Sequence, residues 1–341
     1  MNKTDSLRIA IVSDAYYPHI SGVARTIEAT ARELEKKGHE VLIIAPRDFK
    51  IQFSAPTYPE VKLVPFGYKK IAQLLDAFAP DSIHISVEGP LGMAARKYAK
   101  KRGLHFTTAY HTRFPEYVKV HLGIPMKWTY AVVRNFHNSG QGVMVAADSL
   151  MKELESWGFK NVVYWPRGVD AELFNPGNPM ELAGEKPIFM YMGRVAPEKN
   201  IEAFLSLDLP GTKYIVGDGP AKKNLEKKYP NVIFTGYKFG EELARHLAAA
   251  DVFVFPSLTD TLGLVMLEAN ACGVPVATLP SQASSAVIKE GENGAVDTDL
   301  KAACMRALKL SRTKCREIAL ECGWQKPAEL FLQNLVSAKL K

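Results

Sequence analysis

The sequence predicts an α/β fold with two doubly wound parallel sheets. Short β-branched runs alternate with longer helical patterns along the chain, and this alternation is typical of parallel strands joined by crossover helices. Proline and glycine cluster between residues 167 and 187 and divide the pattern into two series, as interdomain linkers do. The 341 residues are enough for two domains, each with its own core.

Each series predicts five strands. In the first we expect strands near Arg8–Ser13, Val41–Ala45, Ser82–Ser86, Phe106–Tyr110 and Val143–Ala146, with a helix from Gly22 to Gly38. In the second we expect Ile188–Met192, Tyr214–Val216, Val232–Thr235, Val252–Phe255 and Val274–Ala277. The predicted domains are residues 1–172 and 173–324. If the two face each other, a cleft lies at the carboxyl ends of both sheets, where such folds bind ligands.

Composition argues against several classes of protein. Hydrophobic residues make up 47% of the chain and charged residues 23%, which is typical of a globular protein. No apolar run reaches membrane-spanning length, and the short apolar stretch near the N-terminus is broken by Asp14, so we expect a cytoplasmic protein without an export signal. The four cysteines form no Cys-x-x-Cys pair, which favours free thiols over a metal site or disulfide.

The net positive charge of the protein lies in the first half of the chain. Residues 1–170 hold 23 Lys or Arg against 16 Asp or Glu, whereas the remainder holds 20 of each, so the whole net charge of +7 lies before residue 171. Five basic residues end a predicted helix: Arg96, Lys97, Lys100, Lys101 and Arg102. This cluster is either a solvated helix terminus or a surface for an anionic membrane or a phosphorylated acceptor. Aromatic residues are not interleaved with it, which argues against nucleic acid.

The segment FPSLTDTLGLVMLEANACGVP carries two acids eight residues apart, Asp260 and Glu268. We expect a helix to open at Thr261, with the N–H groups of its first turn directed at a diphosphate; that turn runs through Leu262 and Gly263 to Leu264. Helical rise would separate the acids by about 12 Å, the span from a sugar to a ribose across a pyrophosphate. Helix capping and ordinary burial are the alternative interpretation.

Gly193, Arg194 and Lys199 follow the strand that ends near Met192. The two cations would neutralise a diphosphate leaving group, or else they are solvated residues at a helix start. Gly22 precedes another helix and would let backbone approach a phosphate.

His111 ends a predicted strand, so its ring lies either at the rim of the cleft or in a structural position. Asp297 and Asp299 form an Asp-x-Asp sequence directly before a predicted helix, and we interpret it as a helix cap rather than a metal site. The other histidines have no metal-ligand spacing.

Seven motifs together resemble a known family. They are SGVART, YHTRF, RGVD, MGRVAPEKN, VGDGP, FTGY and the acid-pair segment. In this order they resemble glycosyltransferase family 4, retaining enzymes of the GT-B fold, over essentially the whole chain. The fold implied is two facing Rossmann-like domains with an interdomain cleft, and a C-terminal helix over residues 325–341 packing back on the N-terminal domain.

The resemblance also implies site roles. Gly193, Arg194 and Lys199 would bind the donor diphosphate, with Gly22 closing over it, and His111 would sit beside the sugar. Glu268 would hold the ribose, Asp260 the donor sugar, and the backbone around Tyr237 and Lys238 the base. His111, Arg194, Lys199 and Asp260 are then the candidate catalytic residues.

Two departures from the family pattern affect these roles. The first acid of its Glu-x7-Glu pattern is Asp260 here, one methylene shorter, which leaves the donor hexose open. The glycine-rich segment that usually follows the acid-pair helix is replaced by LPSQASSAVIKEGENG, so the contacts of that loop do not carry over.

Within the family, YHTRFPEY and DTLGLVMLEA are most similar to enzymes that glycosylate membrane lipids, including diacylglycerol glycosyltransferases, sulfolipid synthases and bacterial α-mannosyltransferases. The resemblance implies transfer of a hexose from a nucleoside diphosphate sugar, UDP-linked before GDP-mannose, to a lipid hydroxyl. It implies no metal or other cofactor, and a place on the inner face of the cytoplasmic membrane. A soluble acceptor and a catalytically weak sugar-nucleotide-binding protein are the alternatives.

Overall fold

The computed structural model describes residues 6–17, 21–54 and 62–339. The first five residues, on which the export prediction partly rests, lie outside these ranges. The chain forms two compact units. One comprises the chain up to Arg167 together with the segment from Trp324, and the other is Gly168–Gly323.

The first unit alternates strands and helices. Its strands are β1 Arg8–Val12, β2 Glu40–Ile44, β3 Phe53–Ser54, β4 Lys62–Leu63, β5 Ser82–Ile85, β6 Thr107–Ala109, β7 Gly142–Val145 and β8 Val162–Tyr164. Its helices up to Arg167 are α1 Gly22–Lys36, α2 Tyr68–Phe78, α3 Pro90–Lys101, α4 Phe114–Leu122, α5 Met126–His137 and α6 Asp148–Ser156.

The main sheet of this unit is parallel, with strand order β2-β1-β5-β6-β7-β8. Successive residues of β1 point to opposite faces. Ala10 and Val12 join one apolar cluster, whereas Ile9 and Ile11 join another. Burial on both faces explains the continuous apolar run from Ile9 to Val12, which is typical of strands in parallel sheets.

The second unit repeats this plan. Its strands are β9 Ile188–Met192, β10 Thr212–Val216, β11 Ile233–Gly236, β12 Val252–Phe255, β13 Val276–Thr278 and β14 Gly294–Val296. Its helices are α7 Ile201–Leu205, α8 Lys222–Lys228, α9 Gly240–Ala248, α10 Leu264–Ala271, α11 Gln282–Val287, α12 Leu300–Ala307 and α13 Arg312–Leu320. The parallel strands lie in the order β11-β10-β9-β12-β13-β14.

The two doubly wound sheets are confirmed, with small differences. Sequence analysis did not identify β8 and β14, three-residue strands at the edges of the two sheets. The predicted strand Val274–Ala277 is shifted to β13, because Pro275 has no N–H to donate to a neighbouring strand.

The last helix, α14 Gln325–Asn334, belongs to the first unit. Phe331 is fully buried in the cluster that contains Ile9 and Trp165. The indole N–H of Trp165 donates to the Pro327 carbonyl at 3.2 Å. These contacts attach the C-terminal segment to the β1 sheet through apolar packing.

Within the described ranges, no helix is long and apolar enough to cross a membrane.

Candidate active site

In the second unit, most predicted donor-binding residues lie in loops at the carboxyl ends of three strands. Gly193, Arg194 and Lys199 follow β9, Tyr237 and Lys238 follow β11, and residues 256–263 follow β12. Since β9 adjoins β12 and only β10 separates it from β11, these loops share one edge of the sheet. That edge is where open α/β sheets bind ligands.

Lys199 and Asp260 form an ion pair. The Lys199 ammonium lies 2.6 Å from Oδ1 of Asp260, and their side chains are 24% and 22% exposed. The second carboxylate oxygen of Asp260 is buried and has no hydrogen-bond partner among the described residues. Two residues predicted to act on different parts of a ligand therefore contact each other.

Hydrogen bonds from side chains to backbone carbonyls fix the loop that carries Arg194 and Lys199. The Asn200 side chain donates to the Pro256 carbonyl at 3.1 Å, and the Thr259 hydroxyl donates to the Glu198 carbonyl at 3.2 Å. The Tyr191 hydroxyl donates to the Arg194 carbonyl at 2.9 Å. The loops after β9 and β12 are thus held together before any ligand binds.

The Gly217-Asp218-Gly219-Pro220 turn supports this loop from the other side. A Cβ on Gly217 would lie 1.8 Å from the Gly193 carbonyl oxygen, and one on Gly219 would lie 2.3 Å from that of Val195. Val195 N–H donates to the Asp218 carbonyl at 2.8 Å. The two glycines are required because backbone packs directly on backbone.

The predicted helix start at Thr261 is wrong. Helix α10 begins at Leu264, after Gly263 adopts a left-handed conformation with φ of 71°. A Cβ on Gly263 would approach the Phe255 ring to 2.8 Å. Asp260, Thr261 and Leu262 therefore lie in a turn rather than a helix, and helical rise does not give the separation of Asp260 from Glu268.

Two buried polar residues lie in the same region. Glu268 is on α10 and is 6% exposed. Ser257, two residues after β12, is fully buried, and its hydroxyl has no hydrogen-bond partner within the described ranges. Sequence analysis did not select Ser257; its position at the end of a buried strand is the signal that could have found it.

The loop after β11 presents exposed aromatic rings. Tyr237 and Phe239 are 51% and 53% exposed, with ring centroids 6.0 Å apart and planes at 23°. The Lys238 ammonium bonds Glu242 at 2.6 Å. This loop therefore presents two exposed aromatic rings to solvent.

The unusual LPSQASSAVIKEGENG segment forms helix α11. Ser281 accepts from the N–H of Ser284 at 3.1 Å, and the Ser284 hydroxyl accepts from the N–H of Ser281 at 2.8 Å. This reciprocal capping box replaces the glycine-rich loop of the family pattern.

Asp299 caps α12 by accepting from Lys301 N–H at 2.9 Å, and Asp297 pairs with Arg306 at 2.5 Å. Capping therefore accounts for the Asp-x-Asp sequence. Among the described residues, no group of three His, Cys, Asp or Glu is placed to hold a metal ion.

In the first unit, His111 follows β6, as predicted, and contacts Arg167. The Arg167 guanidinium donates to Nδ1 of His111 at 3.3 Å. Since guanidinium can only donate, Nδ1 accepts and the neutral ring carries its proton on Nε2. Burial, reinforced by the charge of Arg167, holds the pKa of His111 well below its usual value.

Arg167 is 8% exposed and is held by the Trp165 carbonyl at 2.5 Å, with its guanidinium 4.1 Å from the Trp165 ring centroid. Burial lowers the pKa of Arg167 to about 9. Sequence analysis did not name Arg167 as a site residue, although it opens the RGVD motif. Its contact with Nδ1 is the one that determines the tautomer of His111 given above.

Gly22 begins α1, where the Ser21 hydroxyl caps Ala24 N–H at 3.2 Å. Residues 18–20, which precede this cap, lie outside the described ranges.

The basic cluster on α3 is partly engaged in internal contacts. Arg96 donates to the Ser139 hydroxyl at 2.6 Å, and Arg102 pairs with Asp76 at 2.8 Å. Lys97 and Lys101 lie over the Tyr68 ring at 5.3 and 5.5 Å from its centroid. The three lysines, including Lys100, remain exposed to solvent, so they are the members free to meet an anionic surface.

Comparison with known proteins follows the division into units. Residues 20–173 match Glycosyltransferase Family 4, and residues 186–311 match Glycosyl transferases group 1. The chain is 31% identical over 296 residues to a GDP-mannose-dependent alpha-mannosyltransferase of Mycobacterium tuberculosis (strain CDC 1551 / Oshkosh), covering 79% of this chain and 78% of that protein. The chain belongs to glycosyltransferase family 4.

The transferase is also 28% identical over 386 residues to the alpha-monoglucosyldiacylglycerol synthase of Streptococcus pneumoniae (strain ATCC BAA-255 / R6), covering 97% of this chain and 87% of that protein. Its fold is similar to that of sucrose-phosphate synthase from Thermosynechococcus elongatus, with a TM-score of 0.77 at 19% identity and coverage of 96% and 98%. The predicted family, hexosyltransferase activity and GT-B fold are therefore confirmed.

Proposed function

We propose that this transferase moves a hexose from a nucleoside diphosphate sugar to the hydroxyl group of a membrane lipid such as diacylglycerol, with retention of anomeric configuration and without a metal. The proposed donor is supported mainly by Arg194, Lys199 and Asp260, which lie at the carboxyl edge of the second sheet. The proposed lipid acceptor is supported by similarity to a relative named for diacylglycerol. UDP-hexoses are the first candidates for donor and GDP-mannose the second.

On the donor side, Arg194 and Lys199 would bind the diphosphate, with Gly193 allowing close approach of the backbone. Asp260 would accept from sugar hydroxyls and Glu268 from the ribose. The backbone at Tyr237 and Lys238, with Thr261 through Leu264, would complete the contacts, and Gly22 would close over the phosphates. The Lys199–Asp260 pair supports this proposal because it holds both charged groups in place in the absence of ligand.

The proposed chemistry is a front-side displacement. The bond from the anomeric carbon to the phosphate oxygen breaks, the acceptor oxygen bonds to that carbon on the same face, and the acceptor proton passes to the departing diphosphate. Negative charge grows on the leaving group, where the cations Arg194 and Lys199 stabilise it. The products are the glycosylated acceptor and the nucleoside diphosphate.

His111 would act on the sugar as a neutral hydrogen-bond donor. Arg167 contacts its Nδ1, so the ring carries its proton on Nε2, from which it would donate to a hydroxyl of the reacting hexose. A neutral ring avoids placing a second positive charge beside a carbon that itself becomes positive in an oxocarbenium-like transition state.

We further propose peripheral binding to an anionic membrane on the cytoplasmic side. Lys97, Lys100 and Lys101 supply exposed charge on α3. On α5, Trp128 and Val132 are 72% and 69% exposed and lie four residues apart on one helix face. An exposed Trp is typical of residues that enter the headgroup region.

A thermal-shift screen against UDP-, GDP- and ADP-sugars, with Mg²⁺ or with a chelator, tests the donor half. A ligand present at about 100 times its Kd stabilises a protein by roughly 2.7 kcal/mol, so the correct donor is expected to raise the melting temperature whether or not metal is present. Arg194→Ala is the matched negative control. No shift with any nucleotide sugar, in a protein that unfolds cooperatively, would contradict the proposed donor site.

A further inference from the structure

The carboxyl end of β5 holds a glutamate that the roles above do not use. Glu88 comes three residues after β5 and immediately before the Gly89-Pro90 start of α3. The N–H groups at the start of α3 are already taken, because Asp14 accepts from Leu91 at 2.9 Å and from Gly92 at 3.1 Å. Glu88 is therefore not needed as a helix cap, and its side chain stays 20% exposed.

A buried histidine faces this carboxylate. His137 is fully buried on α5, and its Nδ1 lies 2.9 Å from the Thr108 hydroxyl. Its Nε2 lies 4.0 Å from Oε2 of Glu88 and has no hydrogen-bond partner among the described residues. A buried nitrogen without a partner is costly to a fold and calls for an explanation.

The gap between the two atoms matches a hydroxyl group. At 4.0 Å the Glu88 oxygen and the His137 nitrogen are too far apart for a direct hydrogen bond. A third atom placed beside the line between them can lie at a hydrogen-bond distance of about 2.8 Å from both. A hydroxyl oxygen suits this position, because it donates to one neighbour and accepts from another.

Protonation of the pair is consistent with an uncharged ligand. Burial lowers the pKa of His137 to about 3, so the ring is neutral and adds no positive charge. Burial, with the nearby charge of Asp14, raises the pKa of Glu88 to about 7. The pair itself therefore offers a carboxyl group and a neutral imidazole, neither of which attracts a phosphate.

The place of Glu88 in the sheet connects it with His111. Strands β1, β5 and β6 are neighbours, and Asp14, Glu88 and His111 follow their carboxyl ends in that order. Tyr110, beside His111, has its ring 5.8 Å from that of His137. The pair therefore lies on the same ligand-binding edge as His111.

We propose that Glu88 and His137 form a subsite that binds a hydroxyl group of an uncharged acceptor, such as the free hydroxyl of a diacylglycerol. Glu88 contacts the acceptor, and His137 is a positioning residue that bridges to the same oxygen. This inference rests on the proposed function and narrows it. A lipid whose headgroup carries a phosphate next to the reacting hydroxyl would be repelled by the carboxylate.

The test compares transfer to dioleoylglycerol and to phosphatidylinositol in mixed micelles with hydrolysis of the donor by water. Relative to the unaltered protein, Glu88→Ala is expected to raise the KM for dioleoylglycerol by at least about tenfold. Donor KM and the rate of donor hydrolysis are expected to stay unchanged. Glu88→Gln recovers most of the loss, because an amide also bonds a hydroxyl, and it improves transfer to phosphatidylinositol, because the negative charge is gone.

Glu155→Gln, an exposed glutamate on α6, is the matched control and leaves all rates unchanged. His137→Asn is expected to raise the acceptor KM in the same way, while donor hydrolysis persists. An acceptor KM in Glu88→Ala equal to that of the unaltered protein would overturn the subsite, as would a preference of the unaltered protein for phosphatidylinositol. Failure of the proposed function looks different, since the unaltered protein itself would then transfer to neither lipid.

Discussion

The ammonium nitrogen of Lys199 lies 2.6 Å from Oδ1 of Asp260, sixty-one residues further along the chain. Each belongs to a loop at the carboxyl end of a central strand, β9 or β12, and these strands are neighbours. Fold topology thus brings together the cation that we propose for the diphosphate and the anion that we propose for the sugar. Their mutual contact holds both side chains in place at this edge of the sheet.

This contact predicts a selective effect of Asp260→Asn. Loss of the carboxylate removes a sugar contact and releases Lys199, so affinity for the nucleotide sugar is expected to fall about tenfold, while affinity for the free nucleoside diphosphate changes by less than about threefold. Titration calorimetry with both ligands measures the difference. Asp208→Asn, at a fully exposed residue that pairs with Lys301 at 3.2 Å, is the control. Equal losses for the two ligands would contradict a sugar role for Asp260.

His111→Ala is expected to reduce kcat by about 10² or more while leaving donor affinity within about twofold. The reason is that a neutral donor at Nε2 acts on the reacting hexose and not on the nucleotide. Steady-state rates together with donor titration separate these effects. A variant whose only defect is weaker donor binding would show that His111 binds the donor without taking part in transfer.

Arg167→Gln tests how that ring is prepared. Without the guanidinium at 3.3 Å from Nδ1, His111 loses the contact that fixes its tautomer, and the pKa of His111 is expected to rise. The loss of activity on acidification should then begin at a higher pH than in the unaltered protein. Profiles of kcat against pH measure this displacement, and superimposable profiles for the two proteins would rule out this role for Arg167.

The buried histidines predict that the loss of stability caused by replacing one of them depends on pH. Burial lowers the pKa of His84 and of His137 to about 3. Below about pH 6.5 the unfolded chain binds protons that the folded state does not, so each histidine lowers stability as pH falls, by about 2 kcal/mol at pH 5. Asp14 and Glu88 act in the opposite direction, because burial raises their pKa values to about 6 and about 7.

The prediction therefore concerns how much one substitution lowers the free energy of unfolding at two pH values. The destabilisation caused by His84→Gln is expected to be about 2 kcal/mol smaller at pH 5 than at pH 7.5. Urea unfolding followed by tryptophan fluorescence measures it in the first unit, because all four tryptophans belong to that unit. His105→Gln is the control. An identical cost at both pH values would show that His84 is not held neutral.

Exposed residues of α3 and α5 predict two kinds of membrane defect. Replacing Lys97, Lys100 and Lys101 by Gln is expected to weaken binding to dioleoylphosphatidylglycerol vesicles by about tenfold or more at low salt. Trp128→Ser is expected to weaken it at low and high salt alike, since an apolar contact is not screened. Replacement of Lys223, Lys227 and Lys309 in the second unit gives the same charge change as a control. Equal binding of all variants to these vesicles would rule out a membrane-binding role for these residues of α3 and α5.

Features that depend on local sequence were predicted correctly, whereas features that depend on packing against other residues were not. Alternating apolar runs identified the strands around which both sheets are built, because burial on both faces leaves a local signal. The start of α10 was misplaced since Gly263 adopts its left-handed conformation under the Phe255 ring, a neighbour eight residues away. Conformation set by packing is not visible in local periodicity.

The site residues show the same limit. His111, Arg194, Lys199 and Asp260 were found from motifs, but their partners were not, because pairing is a property of topology. Arg167 reaches His111 across 56 residues, and His137 faces Glu88 from a helix on another part of the chain. The arginine that opens the RGVD motif was the signal in the sequence for the first of these contacts.

The most direct test of lipid glycosylation measures the transfer of radiolabelled hexose to dioleoylglycerol in mixed micelles. The donor is the nucleotide sugar that the thermal-shift screen selects, and NMR determines the anomeric configuration of the product. We expect a chloroform-soluble α-linked product that forms in the presence of a chelator and is absent with Arg194→Ala. A donor that binds and is hydrolysed, but yields no lipid-linked sugar while a soluble sugar or polyol is glycosylated, would contradict it.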